Sequence, residues 1–292
     1  MESIGIIERA LEAGINFIDT ANIYSSGRSE EIIGKALKGK RERVVLATKV
    51  WGAMGKGPND RGCSRYHIMQ QVEASLRRLQ TDHIDLYQLH RPDDETPMEE
   101  KLSTLTDLVR QGKVRYIGTS NYPGWQICEG LWVSEKHQYE RFVSEQPEYS
   151  ILSRAIEREV LPCCREHGIG VIPWSPLAGG LLTGKYRKGK AAPAESRAKR
   201  SRWNLGSSEN KRALEAVEKL AAVAKGVGER LSRFALAWVL ANPVVTAPII
   251  GPRTVEQLED SLKALEVRLS EETLKKVDEI VKPGEELIVA TW

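Results

Sequence analysis

Val44-Val45-Leu46-Ala47-Thr48-Lys49 is a short apolar run, rich in β-branched residues, that ends on a lysine. Such residues fit a pleated, buried surface. A continuous apolar run, in place of strict alternation, marks a strand covered on both faces, as in a parallel sheet. The next such run, Ile84-Asp85-Leu86-Tyr87-Gln88-Leu89, ends on His90. Between them Ile68, Val72, Leu76 and Leu79 recur at helical spacing.

The alternation extends in both directions. Upstream, Ile4, Ile7 and Leu11 predict a helix, residues 15–19 a strand, and Ser29 caps a helix over 30–37. Downstream, Thr96-Pro97-Met98-Glu99 is a capping box with proline at the first helical position. Strands follow over 114–119, 142–146 and 169–174, with helices over 123–137 and 156–167. Residues 185–208 read as a long basic loop. Helical pattern resumes over 210–241, broken near Gly226 and Gly228. A last strand is predicted over 244–250, a second capping box at Thr254-Val255-Glu256-Gln257, and a final helix after Ser270.

Strand alternating with helix from end to end argues one domain over residues 1–292, built on a parallel sheet. Polar residues decide which kind. Nearly every strand ends in groups able to do chemistry: Asp19, Lys49, His90, Ser120-Asn121, Gln146, Trp174-Ser175 and Gly251-Pro252-Arg253. In a (β/α)8 barrel all such ends point to one face, which carries the site. A doubly wound sheet would concentrate its site at one switch point and show G-x-G-x-x-G after a strand. That motif is absent from the sequence. The expected fold is therefore α/β, a TIM-type barrel. Seven strands are recognisable and the chain opens directly in a helix, so the barrel is expected to be incomplete, its first strand missing.

Bulk properties agree. The 292 residues suit one barrel, which typically needs ~250. A net charge of +3 gives no general attraction to nucleic acid. No apolar run approaches the ~20 residues that span a bilayer; the longest, Phe234 to Val245, is cut by Asn242 and Pro243. Met1-Glu2-Ser3 does not open a signal peptide, and a cytoplasmic protein is expected. The four cysteines form no C-x-x-C pair and the histidines no H-E-x-x-H, so no metal site is expected.

Several motifs share one resemblance. Asp19-Thr20-Ala21-Asn22-Ile23-Tyr24 with Gly27-Arg28-Ser29-Glu30, Leu46-Ala47-Thr48-Lys49, Asp85 to His90, Tyr116 to Asn121 and Trp174-Ser175-Pro176-Leu177 resemble, in order, the aldo-keto reductases. The resemblance covers essentially the whole chain. It implies hydride transfer from NADPH to an aldehyde or ketone, with Asp19, Tyr24, Lys49 and His90 as the catalytic group. The chemistry is coherent. Hydride addition to a carbonyl creates an alkoxide that must receive a proton as it forms. Tyrosine, with an ordinary pKa of ~10, is a poor donor until a nearby ammonium favours its phenolate. Lys49 can supply that charge, Asp19 can hold Lys49, and His90 can orient the substrate oxygen.

The resemblance further implies that NADPH lies across the barrel mouth. Ser120, Asn121 and Gln146 match positions holding the nicotinamide carboxamide, and Trp174 the aromatic stacked under the ring. Ser175, Leu177, Gly179 and Lys185 match the pyrophosphate loop. Gly251 and Arg253 precede a helix N-terminus, a favourable place for phosphate, and Gln257 and Asp260 match the adenine side. Trp51 is expected to wall the substrate side. Gly179 to Lys185 also fits most of a P-loop, but Tyr186 stands where the magnesium-binding hydroxyl belongs. The expected partner is a small carbonyl compound, with no nucleic acid and no membrane; a homo-oligomer is left open. The alternatives are a non-catalytic NADPH-binding regulatory subunit, like the family's potassium-channel relatives, and an inactive truncated reductase.

Overall fold

The computed structural model describes residues 2–186 and 208–288, so most of the basic stretch 185–208 lies outside the described residues. Two compact units are distinguished. The first comprises residues 1–146, 163–170 and 252–255; the second comprises 147–162, 171–251 and 256–292.

The first unit alternates as expected. Its helices are α1 (Glu2–Glu12), α2 (Arg28–Ala36), α3 (Arg65–Leu79), α4 (Met98–Arg110) and α5 (Gly124–His137). Between them run β1 (Phe17–Asp19), β2 (Val45–Val50), β3 (Ile84–Leu89), β4 (Val114–Ser120) and β5 (Phe142–Gln146). α6 (Val160–His167, from Cys163 onward) and Gly170 of a short β6 (Gly170–Val171) follow. The strands form one sheet in sequence order, and the ladders from β1 to β5 are all parallel. All six residues of β3 are buried, as a strand covered on both faces requires. Register shifts between Ile117 and Gly118, where only glycine fits, because a Cβ would collide with the Ser144 hydroxyl.

In the second unit the helices are α7 (Ser208–Gly226), α8 (Leu231–Leu240), α9 (Val255–Leu262, from Glu256 onward) and α10 (Glu271–Ile280). The break after Gly226 falls as the glycines predict, and Ser270 caps α10 by accepting the Thr273 N–H.

Three expectations are corrected. The seventh strand, 244–250, is not a full strand: only a parallel bridge joins Val171 to Val245, with Thr246 and Ile249 donating to the carbonyls of Val171 and Pro173. Pro173 and Pro248 lack the N–H groups a longer ladder needs. Thr96 does not cap α4; its hydroxyl donates to Asp93 instead. Ser29 lies inside α2, whose N-cap is the left-handed Gly27, and its hydroxyl pairs with that of Thr20.

Candidate active site

β1 and β2 bring the first two residues together. Asp19 ends β1 and is in register with Ala47. Lys49 lies two residues further along β2, hence on the same face as Ala47. Its Nζ reaches Asp19 Oδ2 at 2.5 Å and the Thr20 carbonyl at 2.9 Å, and its side chain is wholly buried. The other oxygen of Asp19 accepts from Gln88 Nε2 at 3.3 Å and Gln146 Nε2 at 2.8 Å. Gln88 is in register with Lys49. Gln146 stands four strands from Asp19, so the sheet of this unit curves enough for the end of β5 to meet the end of β1.

Tyr24 stands over this pair, with Lys49 Nζ 5.1 Å from its ring centre. Its loop is fastened to β2 by Asn22, whose N–H donates to the Lys49 carbonyl. Ser25 and Ser26, at φ of 49° and 54°, then turn the chain back through the left-handed region. Such conformations cost of order 1–3 kcal/mol each and persist where surrounding structure enforces them. Tyr24 is 40% exposed, so the hydroxyl of a residue anchored on a buried ion pair is open to solvent. It lies 3.5 Å from Nε2 of His90, the rings meeting edge to face.

His90 follows β3 and is tied to β2 by its N–H on the Val50 carbonyl. Burial, then the positive charges of Lys49 and Arg91, push its pKa down to about 3. Its imidazole is thus neutral at physiological pH, one ring nitrogen donating and the other accepting. Trp51, directly after β2, is half-buried, with the Arg91 guanidinium 5.7 Å from its ring centre. The structure therefore brings Asp19, Tyr24, Lys49 and His90 into one cluster at the C-terminal ends of β1–β3.

Ser120 and Asn121 adjoin it. Asn121 donates from Nδ2 to the His90 carbonyl (3.2 Å) and to Ser120 Oγ (2.9 Å), and its backbone is left-handed at φ 61°. Ser120 Oγ donates to the Gln146 carbonyl at 2.7 Å. The side-chain donors of Ser120 and Asn121 are thus engaged within the protein. Gln146 likewise gives its amide N–H groups to Asp19 and Gln88, acting as a brace. Sequence reading missed Gln88, whose signal was its register with Lys49. It also missed Glu145, buried with Thr119 Oγ1 and the Tyr122 N–H on its two oxygens.

Trp174 is half-buried, bridged in parallel to Glu148, with its N–H on the Pro147 carbonyl at 2.9 Å. Ser175, Ala178, Gly179 and Gly180 all adopt positive φ. The Ser175 hydroxyl accepts the Gly179 N–H, and the Leu177 carbonyl that of Gly180. Gly180, at φ 102°, holds a backbone conformation that side chains rarely adopt, and Lys185 Nζ comes within 2.9 Å of where a Cβ would stand. Gly251, Arg253 and Gln257 are exposed just before and within the first turn of α9. Asp260 is engaged otherwise: its carboxylate accepts from Arg233, Arg230 and Ser232. Among the described residues no helix is long and apolar enough to cross a membrane.

Residues 1–282 match the Aldo/keto reductase family, and the chain belongs to it. The chain is 49% identical over 290 residues to the uncharacterized oxidoreductase YrpG of Bacillus subtilis (strain 168), spanning 96% of this chain and 86% of that protein. It is 38% identical to a probable voltage-gated potassium channel subunit beta of Arabidopsis thaliana, over 96% and 88% of the two. To the versiconal hemiacetal acetate reductase of Aspergillus parasiticus it is 35% identical, over 97% and 89%.

Proposed function

We propose that the protein is a cytoplasmic NADPH-dependent reductase of small aldehydes or ketones, with Tyr24 as the proton donor. The observation that carries this reading is the buried Lys49–Asp19 pair beneath a solvent-exposed Tyr24 that also faces a neutral His90. A carbonyl oxygen placed against the Tyr24 hydroxyl and His90 Nε2 meets two groups able to hydrogen-bond it. The Tyr24 hydroxyl delivers the proton, and Lys49, pinned by Asp19, keeps a positive charge under the ring as negative charge develops. NADPH supplies the hydride. Ser120 and Asn121, the 175–180 loop and Arg253 are the residues that would hold it. Trp51 lines the substrate side. The frame is taken to be a (β/α)8 barrel.

The test is NADPH oxidation over a panel of aldehydes and ketones, with Tyr24→Phe alongside. Turnover that falls by about 10²–10⁴-fold in the variant, with NADPH binding retained by fluorescence titration, supports the reading. NADPH binding without turnover of any carbonyl moves the protein to a regulatory role, in keeping with the name of the Arabidopsis thaliana relative. Failure to bind NADPH overturns both.

A further inference from the structure

Three soft donors meet on the surface of the first unit, away from the strand ends just described. Cys163 and His167 are four residues apart on α6 and so share one helical face. Cys128 is presented to them from α5. Its Sγ lies 3.5 Å from Cys163 Sγ and 3.7 Å from His167 Nε2, and the three donor atoms all fall within 4.8 Å of one another. Neither thiol is in a disulfide. The sequence predicts no metal because it holds no C-x-x-C pair and no H-E-x-x-H; these two cysteines lie 35 residues apart.

We propose that Cys128, Cys163 and His167 form a zinc site with its fourth position open to solvent. Tetrahedral Zn²⁺ has Zn–S bonds of ~2.3 Å and Zn–N bonds of ~2.0–2.1 Å, so its S···S and S···N edges are about 3.8 and 3.6 Å. The distances from Cys128 therefore already match two edges within a few tenths of an ångström. A disulfide would need the sulfurs to close to ~2.05 Å, a far larger adjustment than zinc requires. The chemistry is borderline-soft thiolate and imidazole, which suits Zn²⁺ over Mg²⁺ or Ca²⁺. Cys128 and His167 are exposed and border a surface groove of about 580 Å³, also lined by Trp132, Tyr139 and Arg141, so water can take the fourth position. Arg141 does not occupy the donors, since it donates to the backbone carbonyl of His167 at 2.6 Å. On binding, each thiol gives its proton to the buffer, and the hexahydrated ion releases five waters, gains two sulfurs and one nitrogen, and keeps one water in the fourth position.

The test uses the full chain, reduced and stripped with a chelator, then titrated with Co²⁺ and back-titrated with Zn²⁺. One equivalent of Co²⁺ should give the visible bands of a tetrahedral ion and a near-ultraviolet thiolate-to-metal band, all abolished by one equivalent of Zn²⁺. Cys128→Ser and His167→Ala, both exposed positions, should each weaken Zn²⁺ binding tenfold or more in a competition against a chromophoric chelator. His137→Gln, an imidazole elsewhere on α5, should not. A spectrum without the thiolate band, or binding indifferent to both substitutions, overturns the site. So does a fully reduced protein that takes up no metal but re-forms a Cys128–Cys163 disulfide in air. Carbonyl reduction is not the readout, so the site stands or falls separately from the proposed activity.

Discussion

Arg41 and Asp85, 2.7 Å apart, stand at the N-terminal ends of the strands; Lys49 and Asp19, 2.5 Å apart, stand at the C-terminal ends. The first ties the turn before β2 to β3 and the second ties β2 to β1, and their surroundings differ. Arg41 directs its remaining donors to the Val44 and His83 carbonyls and the Thr81 hydroxyl, and Asp85 also accepts the Leu46 N–H. Most partners there are backbone groups, with the side chains of Arg115 and His83 at 3.4 and 3.8 Å from the other oxygen of Asp85. Around Lys49 and Asp19 the partners, apart from the Thr20 carbonyl, are side chains, Gln88, Gln146 and Tyr24, and the outermost is exposed. One pair closes a fold. The other orients a reactive group, as the division of a barrel into a stability face and a catalytic face leads one to expect.

The sharpest way to break this contrast is Lys49→Met. It leaves the Asp19 carboxylate buried with two amides and no cation, a loss that typically costs 3–5 kcal/mol. Denaturant unfolding should show that loss, and carbonyl turnover should vanish. The double variant Asp19→Leu/Lys49→Met removes both charges and should regain most of the stability, since replacing a whole buried pair by apolar groups is often neutral. Turnover should stay absent. Recovered turnover in the double variant would mean that the pair is as structural as the one at the other end.

Arg41→Ala probes the opposite face. It strips an ion pair and three further hydrogen bonds from groups that remain partly buried, and about 2–3 kcal/mol of stability should go with them. The kcat of the folded fraction should stay within a factor of about two, because none of these groups touches the cluster around Tyr24. A tenfold fall in kcat at full occupancy of the folded state would erase the distinction between the two ends.

The sequence carries the contrast only in part. Asp19, Lys49 and His90 are legible because each ends an apolar run, and strand ends in such a fold share a face. Tyr24 is not legible that way. It sits in a loop shaped by two left-handed serines, a conformation no local pattern announces, and only the resemblance singles it out. Gln88 lies inside an apolar run, and its role depends on pairing with Lys49 on another strand. The Cys128–Cys163–His167 cluster depends in the same way on two helices docking. Local chemistry misled where a tertiary competitor won. Thr96 had every mark of a cap, yet Asp93 takes its hydroxyl. Residues 244–250 were apolar enough for a strand, yet Pro248 withholds the N–H that a ladder needs.

The smallest effect sharpens the contrast from behind the C-terminal ends. Glu145 precedes Gln146 on β5 and so points to the opposite face of the strand. Burial, only partly offset by hydrogen bonds from Thr119, Tyr122 and Asn121, pushes its pKa up from 4.5 to about 8. Between those values the folded protein holds a proton that the unfolded chain releases. The contribution of Glu145 to stability is therefore full below pH 4.5 and is lost as pH rises toward 8. His90 works the other way: its pKa is lowered, so its contribution is full above 6.5 and is lost as pH falls toward 3. Glu145→Gln should remove the alkaline loss alone. The Tyr122 N–H keeps an oxygen partner. Thr119 Oγ1 can accept from the new amide while turning its own proton to the Ser144 carbonyl, 3.4 Å away. By linkage the variant should exceed the parent at pH 8.5, with the gap shrinking as the pH falls to 4.5. Denaturation curves at the two pH values measure it. A gap that does not change with pH would mean that the carboxyl does not titrate in this window, and that the polar groups behind the strand ends are as fully neutralised as those around Arg41.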